Sequence, residues 1–152
     1  MTYNIYRFIL DKNSDISIYK NDKLYLTYKR KTFFFRNIEC NMYDSSNTLL
    51  LHIKMKAFFF NNLKIIENNL GLDFRIKNNF FVMIFKVNET EKFTININKI
   101  FHNSMLIANV INNRKRFSLE YDFDIKFNTD NLIIEKQAII FFVLSKTNLN
   151  LY

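Results

Sequence analysis

Polar and apolar residues alternate along most of this chain. Between 116 and 127, Phe117, Leu119, Tyr121, Phe123, Ile125 and Phe127 fall on one side, and Ser118, Glu120, Asp122, Asp124 and Lys126 on the other. A period of two is that of a strand with one buried and one wet face. The same alternation predicts strands over 38–42, 49–55, 70–76 and 93–97, and shorter matches predict strands at 3–10, 16–19, 23–29, 79–87 and 104–111. The segment NFFVMIFKV at 79–87 is apolar on both faces, which implies a strand covered on both sides or facing a partner.

Turns fall between these runs at 44–47, 68–71, 78–79, 88–91 and 112–113, built without proline and with one glycine, Gly71. Asparagine takes glycine's place, because its short amide tolerates the left-handed region and bonds its own backbone. Short connections make neighbours antiparallel. No Ser/Gly-rich linker or charge block interrupts the chain, so residues 1–152 are read as a single domain.

The last segment breaks the rhythm. Thr129 or Asp130 can cap a helix, Glu135 near its start suits the helix dipole, and Leu132 to Leu144 is apolar nearly all the way round the helical wheel. A helix apolar on every side has to be buried on every side. A strand is the competing assignment, since Ile, Phe and Val favour one. At 13 residues the run is shorter than the roughly 20 needed to span a bilayer. The expected fold is therefore mainly β, an antiparallel meander closing into a barrel around a hydrophobic C-terminal helix at about residues 130–146.

A repeat lies within the meander. KRKTFFFRN at 29–37 matches KMKAFFFNN at 54–62 at a spacing of 25 residues, about one hairpin, and KNNFFVMIF at 77–85 is a looser third copy. Three consecutive phenylalanines break alternation, which marks a corner where the chain leaves one strand for the next.

Composition narrows the class. With 49 % hydrophobic and 24 % charged residues the chain is neither disordered nor a membrane channel, and 17 % aromatics without tryptophan favour pleated surfaces. The net charge of +8 can attract nucleic acid or anionic membrane. It is set against 23 Asn, 20 Ile and 16 Lys with only three Ala, a bias for which A/T-rich codons are a sufficient cause. The single cysteine, Cys40, excludes an internal disulfide and a Cys-based four-ligand zinc site. The opening MTYNIYRFIL has no basic start, apolar run and cleavage site of a signal peptide, so the expected location is cytoplasmic, peripheral at a membrane.

Short antiparallel strands followed by a very hydrophobic C-terminal helix form an uncommon combination. On the hairpin repeats, the strand RFSLEYDFDIKF at 116–127 and LIIEKQAIIFFVL at 132–144, the chain resembles the tubby C-terminal-domain-like group, particularly LURP-one-related proteins and, more distantly, phospholipid scramblases. The resemblance spans about Tyr3 to Leu144 and rests on the order of elements. It implies a twelve-stranded barrel around a central helix, and it makes membrane-lipid binding an expectation. No run matches the phosphoinositide-binding residues of tubby proteins or the acidic calcium loop of scramblases, so no site residue is carried over.

Candidate chemistry is sparse. His52 lies on the wet face of its strand and His102 in a connection, neither with a second ligand at metal spacing, so no metal or cofactor is expected. Cys40 shares the core face with Ile38 and Met42 and reads as a buried, inert thiol. Glu120, Asp122 and Asp124 line one strand face, where they answer Lys or Arg on the neighbouring strand. One glycine allows no phosphate-binding loop, and no Ser/His/Asp order stands out, so no enzyme is expected.

What remains are basic clusters beside phenylalanine at strand ends: Lys29, Arg30 and Lys31; Lys54 and Lys56; Arg114, Lys115 and Arg116. Gathered on one rim, they would form a positive collar with apolar shoulders. The expected function is a non-enzymatic barrel module whose rim contacts anionic phospholipid or a protein partner. The alternative is a small hydrophobic-ligand carrier of the lipocalin or fatty-acid-binding type, which needs a free interior. Single-stranded nucleic-acid binding ranks third, because the same phenylalanines are needed for the core and no RRM-type signature is present.

Overall fold

The computed structural model describes residues 4–11, 15–33, 37–56, 63–79, 82–113 and 121–149. Among these residues twelve strands precede one helix. They are β1 (Ile5–Leu10), β2 (Ile16–Lys20), β3 (Lys23–Thr32), β4 (Asn37–Asp44), β5 (Leu49–Lys56), β6 (Lys64–Asn68), β7 (Arg75–Asn79), β8 (Val82–Lys86), β9 (Lys92–Ile95), β10 (Lys99–His102), β11 (Met105–Asn112) and β12 (Tyr121–Phe127). The helix, α1, is Leu132–Leu149.

All twelve strands form one antiparallel sheet in the order β6-β5-β4-β3-β2-β1-β12-β11-β10-β9-β8-β7. Two six-stranded meanders are thus joined through the pairing of the first strand with the last, in register from Ile5 opposite Lys126 to Leu10 opposite Tyr121. The strictly alternating strands are where the sequence places them: Tyr6, Phe8 and Leu10 of β1, and Ile38, Cys40 and Met42 of β4, all face the core.

Laid flat, eleven inter-strand gaps would separate β6 from β7 by about 53 Å. The chain between them, residues 69–74, is six residues and reaches about 24 Å when fully extended. The sheet therefore has to curl until its two edges approach. What it curls around is α1: from Ala138 to Ser145, eight consecutive residues, no side chain is more than 3 % exposed. Two turns buried in every direction are covered on all sides, as the apolar wheel requires. Phe141 stacks on Phe85 at 4.6 Å between centroids and meets Phe93 at 5.1 Å and Phe74 at 5.2 Å, while Phe142 meets Phe8 edge-on at 5.4 Å.

The cap is neither Thr129 nor Asp130. Asn131 is the capping residue, its side-chain oxygen accepting from the backbone N–H of Ile133 at 3.1 Å and of Ile134 at 3.2 Å. Glu135 does more than favour the dipole. Its side chain is fully buried, accepts from Asn4 Nδ2 at 2.8 Å and from the Tyr6 hydroxyl at 2.8 Å, and lies 3.9 Å from Lys20 Nζ. Burial, and then the bond to Glu135, hold the Tyr6 phenol well above its usual range.

Closure is the main correction to the expected barrel. Strands β6 and β7 run antiparallel to one another but are not hydrogen-bonded, so the curled sheet keeps an open seam. The connector explains it. Asn69 N–H donates to Leu50 O at 2.8 Å and Asn69 Nδ2 to Leu49 O at 3.1 Å, tying Asn69 to the start of β5, while Asn68 Nδ2 donates to Leu72 O at 2.9 Å and folds the turn back onto the end of β6. Gly71 turns the chain there with φ of 75°. The alternation over 70–76 consequently belongs to this connector as much as to a strand: Leu70 and Leu72 cover the core as loop residues, and β7 starts only at Arg75. In β8, only Met83 and Phe85 are buried, so the strand is not covered on both faces.

Candidate functional site

Odd-numbered strands all run away from the rim where α1 begins, because every neighbour in the ladder is antiparallel. Their C-terminal ends therefore share the opposite, far rim. Lys29, Arg30 and Lys31 close β3, and Lys54 and Lys56 close β5, so the structure brings these two sequence-predicted clusters to the same rim on strands separated only by β4. Arg114, Lys115 and Arg116 lie outside the described residues. Phe33, the first of the first triplet, opens the β3–β4 corner, its N–H donating to Asn37 O at 2.7 Å; Phe34 and Phe35 lie outside the described residues. Phe58, Phe59 and Phe60 of the second copy lie outside the described residues.

The collar is not uniform. Lys29 and Lys31 alternate with the core-facing Leu26 and Tyr28 and point outward, whereas Arg30, opposite Cys40 in the ladder, is on the inner face. Lys29 Nζ stands 5.6 Å from the centre of the Tyr43 ring. Glu39 on β4 is an acid set among these cations: it pairs with Lys31 on one side and Lys54 on the other in the strand register. The His52 ring N–H donates to its Oε1 at 2.5 Å and Lys54 Nζ is 3.4 Å from the same oxygen. The hydrogen bond from His52, aided by the charge of Lys54, holds the Glu39 carboxyl below its usual range.

A cleft of about 580 Å³ opens beside this group. Its apolar lining is Ile38, Met55 and the half-exposed Phe33; its polar lining is Asn37, Glu39, Lys54 and Lys64. Lys64 was not among the residues picked from sequence. It enters because β6 pairs Lys64 with Lys54, putting two cations side by side at the mouth. The cleft thus offers apolar surface next to positive charge, the arrangement that suits an amphiphile with an anionic head.

The remaining candidates have structural partners. The Tyr28 hydroxyl donates to Cys40 Sγ at 2.8 Å, and burial pushes the thiol up to about 11, away from the thiolate a nucleophile needs. His102 donates to Glu91 at 3.2 Å and tilts against the Phe93 ring at 4.7 Å. Asp122 receives Arg7 of β1 at 3.0 Å, the cross-strand answer expected for this acidic row; Asp124 instead accepts from Asn113 Nδ2 at 2.6 Å, and Glu120 is outside the described residues. Among the described residues no group of three His, Cys, Asp or Glu is placed to hold a metal ion, and no helix is long and apolar enough to cross a membrane.

The Glu39 arrangement has a pH consequence. A carboxyl held low in the folded protein stabilises it fully at neutral pH, and that contribution fades as pH falls past the ordinary carboxylate range until Glu39 itself is protonated. A Glu39→Gln variant is expected to melt below the wild type at pH 7 and to converge with it in acid. Parallel melting curves followed by circular dichroism check this; a gap that widens in acid would contradict the assignment.

No family model, no curated protein and no solved structure matches this chain.

Proposed function

We propose that the protein is a non-enzymatic binding module of tubby/LURP-one-like architecture that contacts anionic membrane lipid through its far rim. Support for the architecture comes from twelve antiparallel strands curled around a C-terminal helix that is buried on all sides over Ala138 to Ser145. The observation that carries the function is the pairing of Lys54 with Lys64 at one apolar cleft on that rim, with Lys29 and Lys31 closing β3 at the same end of the sheet. Phosphate head groups supply the negative charge, and the apolar lining accepts the start of an acyl chain. A carrier of the lipocalin type would place its ligand in the interior, which α1 occupies.

Each Lys near an anionic surface is worth about 1 kcal/mol, so neutralising two is expected to weaken binding roughly 30-fold. The test is flotation with phosphatidylcholine vesicles, with and without phosphatidylserine, at low and moderate salt. Wild type should float with the anionic vesicles and lose them as salt rises, and Lys31→Gln/Lys64→Gln should stay behind. Equal recovery with neutral and anionic vesicles would overturn the proposal.

A further inference from the structure

The seam between β6 and β7 has two deficits at once. Along it, both strands present backbone donors and acceptors that no neighbouring strand among the described residues takes up. The core is also thinnest there. Among the described residues, ten hydrophobic side chains pack on the core while only half covered, and five of them, Leu63, Ile65, Leu70, Leu72 and Ile76, border this seam. A strand laid into the seam would satisfy both needs, since it brings a hydrogen-bonding backbone and alternate side chains for the inner face.

The two edges are not equivalent. Strand β6 carries a bulge: His52 pairs with Glu67 and Ile53 with Ile65, so Ile66 is left without a partner and is 44 % exposed. Bulges spoil an edge for further pairing. Strand β7 pairs with β8 without a register shift over all five of its residues, from Arg75 to Asn79, and is the straighter template. Its outward side chains Arg75 and Lys77 are exposed, as is Lys64 across the seam, and none of the three is ion-paired among the described residues. Glu67 and Asp73 are the exposed acids nearby, and Glu67 accepts from Asn69 Nδ2 at 2.8 Å.

We infer that β7 is a strand-addition site for an extended partner segment that alternates apolar with acidic residues. The segment runs antiparallel to β7, sets apolar side chains inward against Phe74 and Ile76, and sets carboxylates outward between Arg75, Lys77 and Lys64. A second copy of this chain is the wrong partner electrostatically, because each copy carries +8 and the seam itself is cationic. The site runs along the edge of the sheet and meets the rim cleft only at Lys64, so Arg75 and Lys77 on β7 distinguish it from the rim.

The probe is a fluorescent ten-residue peptide alternating valine and glutamate, compared with a block-ordered peptide of the same composition and with one N-methylated at every second amide. Anisotropy should show saturable binding of the alternating peptide to the full chain, weaker by about tenfold or more for either control, as expected when register and backbone bonds carry the affinity. Hydrogen exchange should be faster at 75–79 than in β4 of the free protein, and should slow when the alternating peptide binds. Lys77→Glu should bind the peptide less well at an unchanged melting temperature. Equal binding of the block-ordered peptide would reduce the site to charge attraction and overturn strand addition. So would slow exchange at 75–79 in the free protein, or a concentration-dependent dimer that the peptide dissolves.

Discussion

Truncating Phe141 to alanine is expected to destabilise the protein by about 3–5 kcal/mol, the range for removing a buried aromatic ring. The value should fall near the top of that range. Phe141 is fully buried, and the three rings around it, Phe74, Phe85 and Phe93, come from the connector after β6, from β8 and from β9. Strands β8 and β9 are held by their ladder as well as by the ring, and neither can move into the vacated space without breaking strand pairing. Phe141→Leu retains most of the apolar volume and should lose less than half as much. The chain has no tryptophan, so far-UV circular dichroism in a urea titration is the direct measurement. A loss under 1 kcal/mol for Phe141→Ala would mean that α1 is not enclosed.

The second large effect is expected in the first turn of the helix. Glu135→Ala removes the acceptor for the Tyr6 hydroxyl and the Asn4 amide and strips Lys20 of its nearby anion. A buried donor left without an acceptor costs about 1–3 kcal/mol. Tyr6 is 1 % exposed and bears most of this, while Asn4 is only partly buried and can turn to water. A total near 3 kcal/mol is expected, with Glu135→Gln losing about 1 kcal/mol because its amide oxygen still accepts. If the cluster acts as a unit, combining Tyr6→Phe with Glu135→Ala should cost less than the sum of the single changes. Strict additivity in that double-mutant cycle would show that the bond carries no coupling.

Much of this architecture is legible in the sequence, and the exceptions have identifiable physical causes. Where a strand has one dry face and no bulge, as in β4 or β12, alternation marks it directly. Strand β6 escapes because its bulge inserts Ile66 next to Ile65, and two adjacent isoleucines have no period of two. Strand β10 escapes because it has four residues, with Ile100 its one fully buried side chain. In the connector the pattern misleads, since Leu70 and Leu72 alternate inward while their backbone is bonded to the Asn68 side chain and joins no ladder. Lys64 could not be found without β6, so the candidate cleft was half visible: its cations on β3 and β5 are a sequence pattern, while its second wall depends on pairing across 10 residues. The Glu135 cluster joins positions about 130 residues apart, and no local signal relates Tyr6 to a helix at the other end of the chain.

The partnership of β1 with β12 also fixes the order in which the molecule can be completed. During synthesis the first six strands emerge as local hairpins, each able to form from near neighbours. Their apolar face has nothing to cover it until α1 leaves the ribosome, with about sixty further residues, 69–131, made in between. Pairings of such long sequence separation form slowly. A nascent chain carrying a bare sheet of this kind is a substrate for chaperones, and fragments released before α1 has emerged should be insoluble where chains released after it are folded.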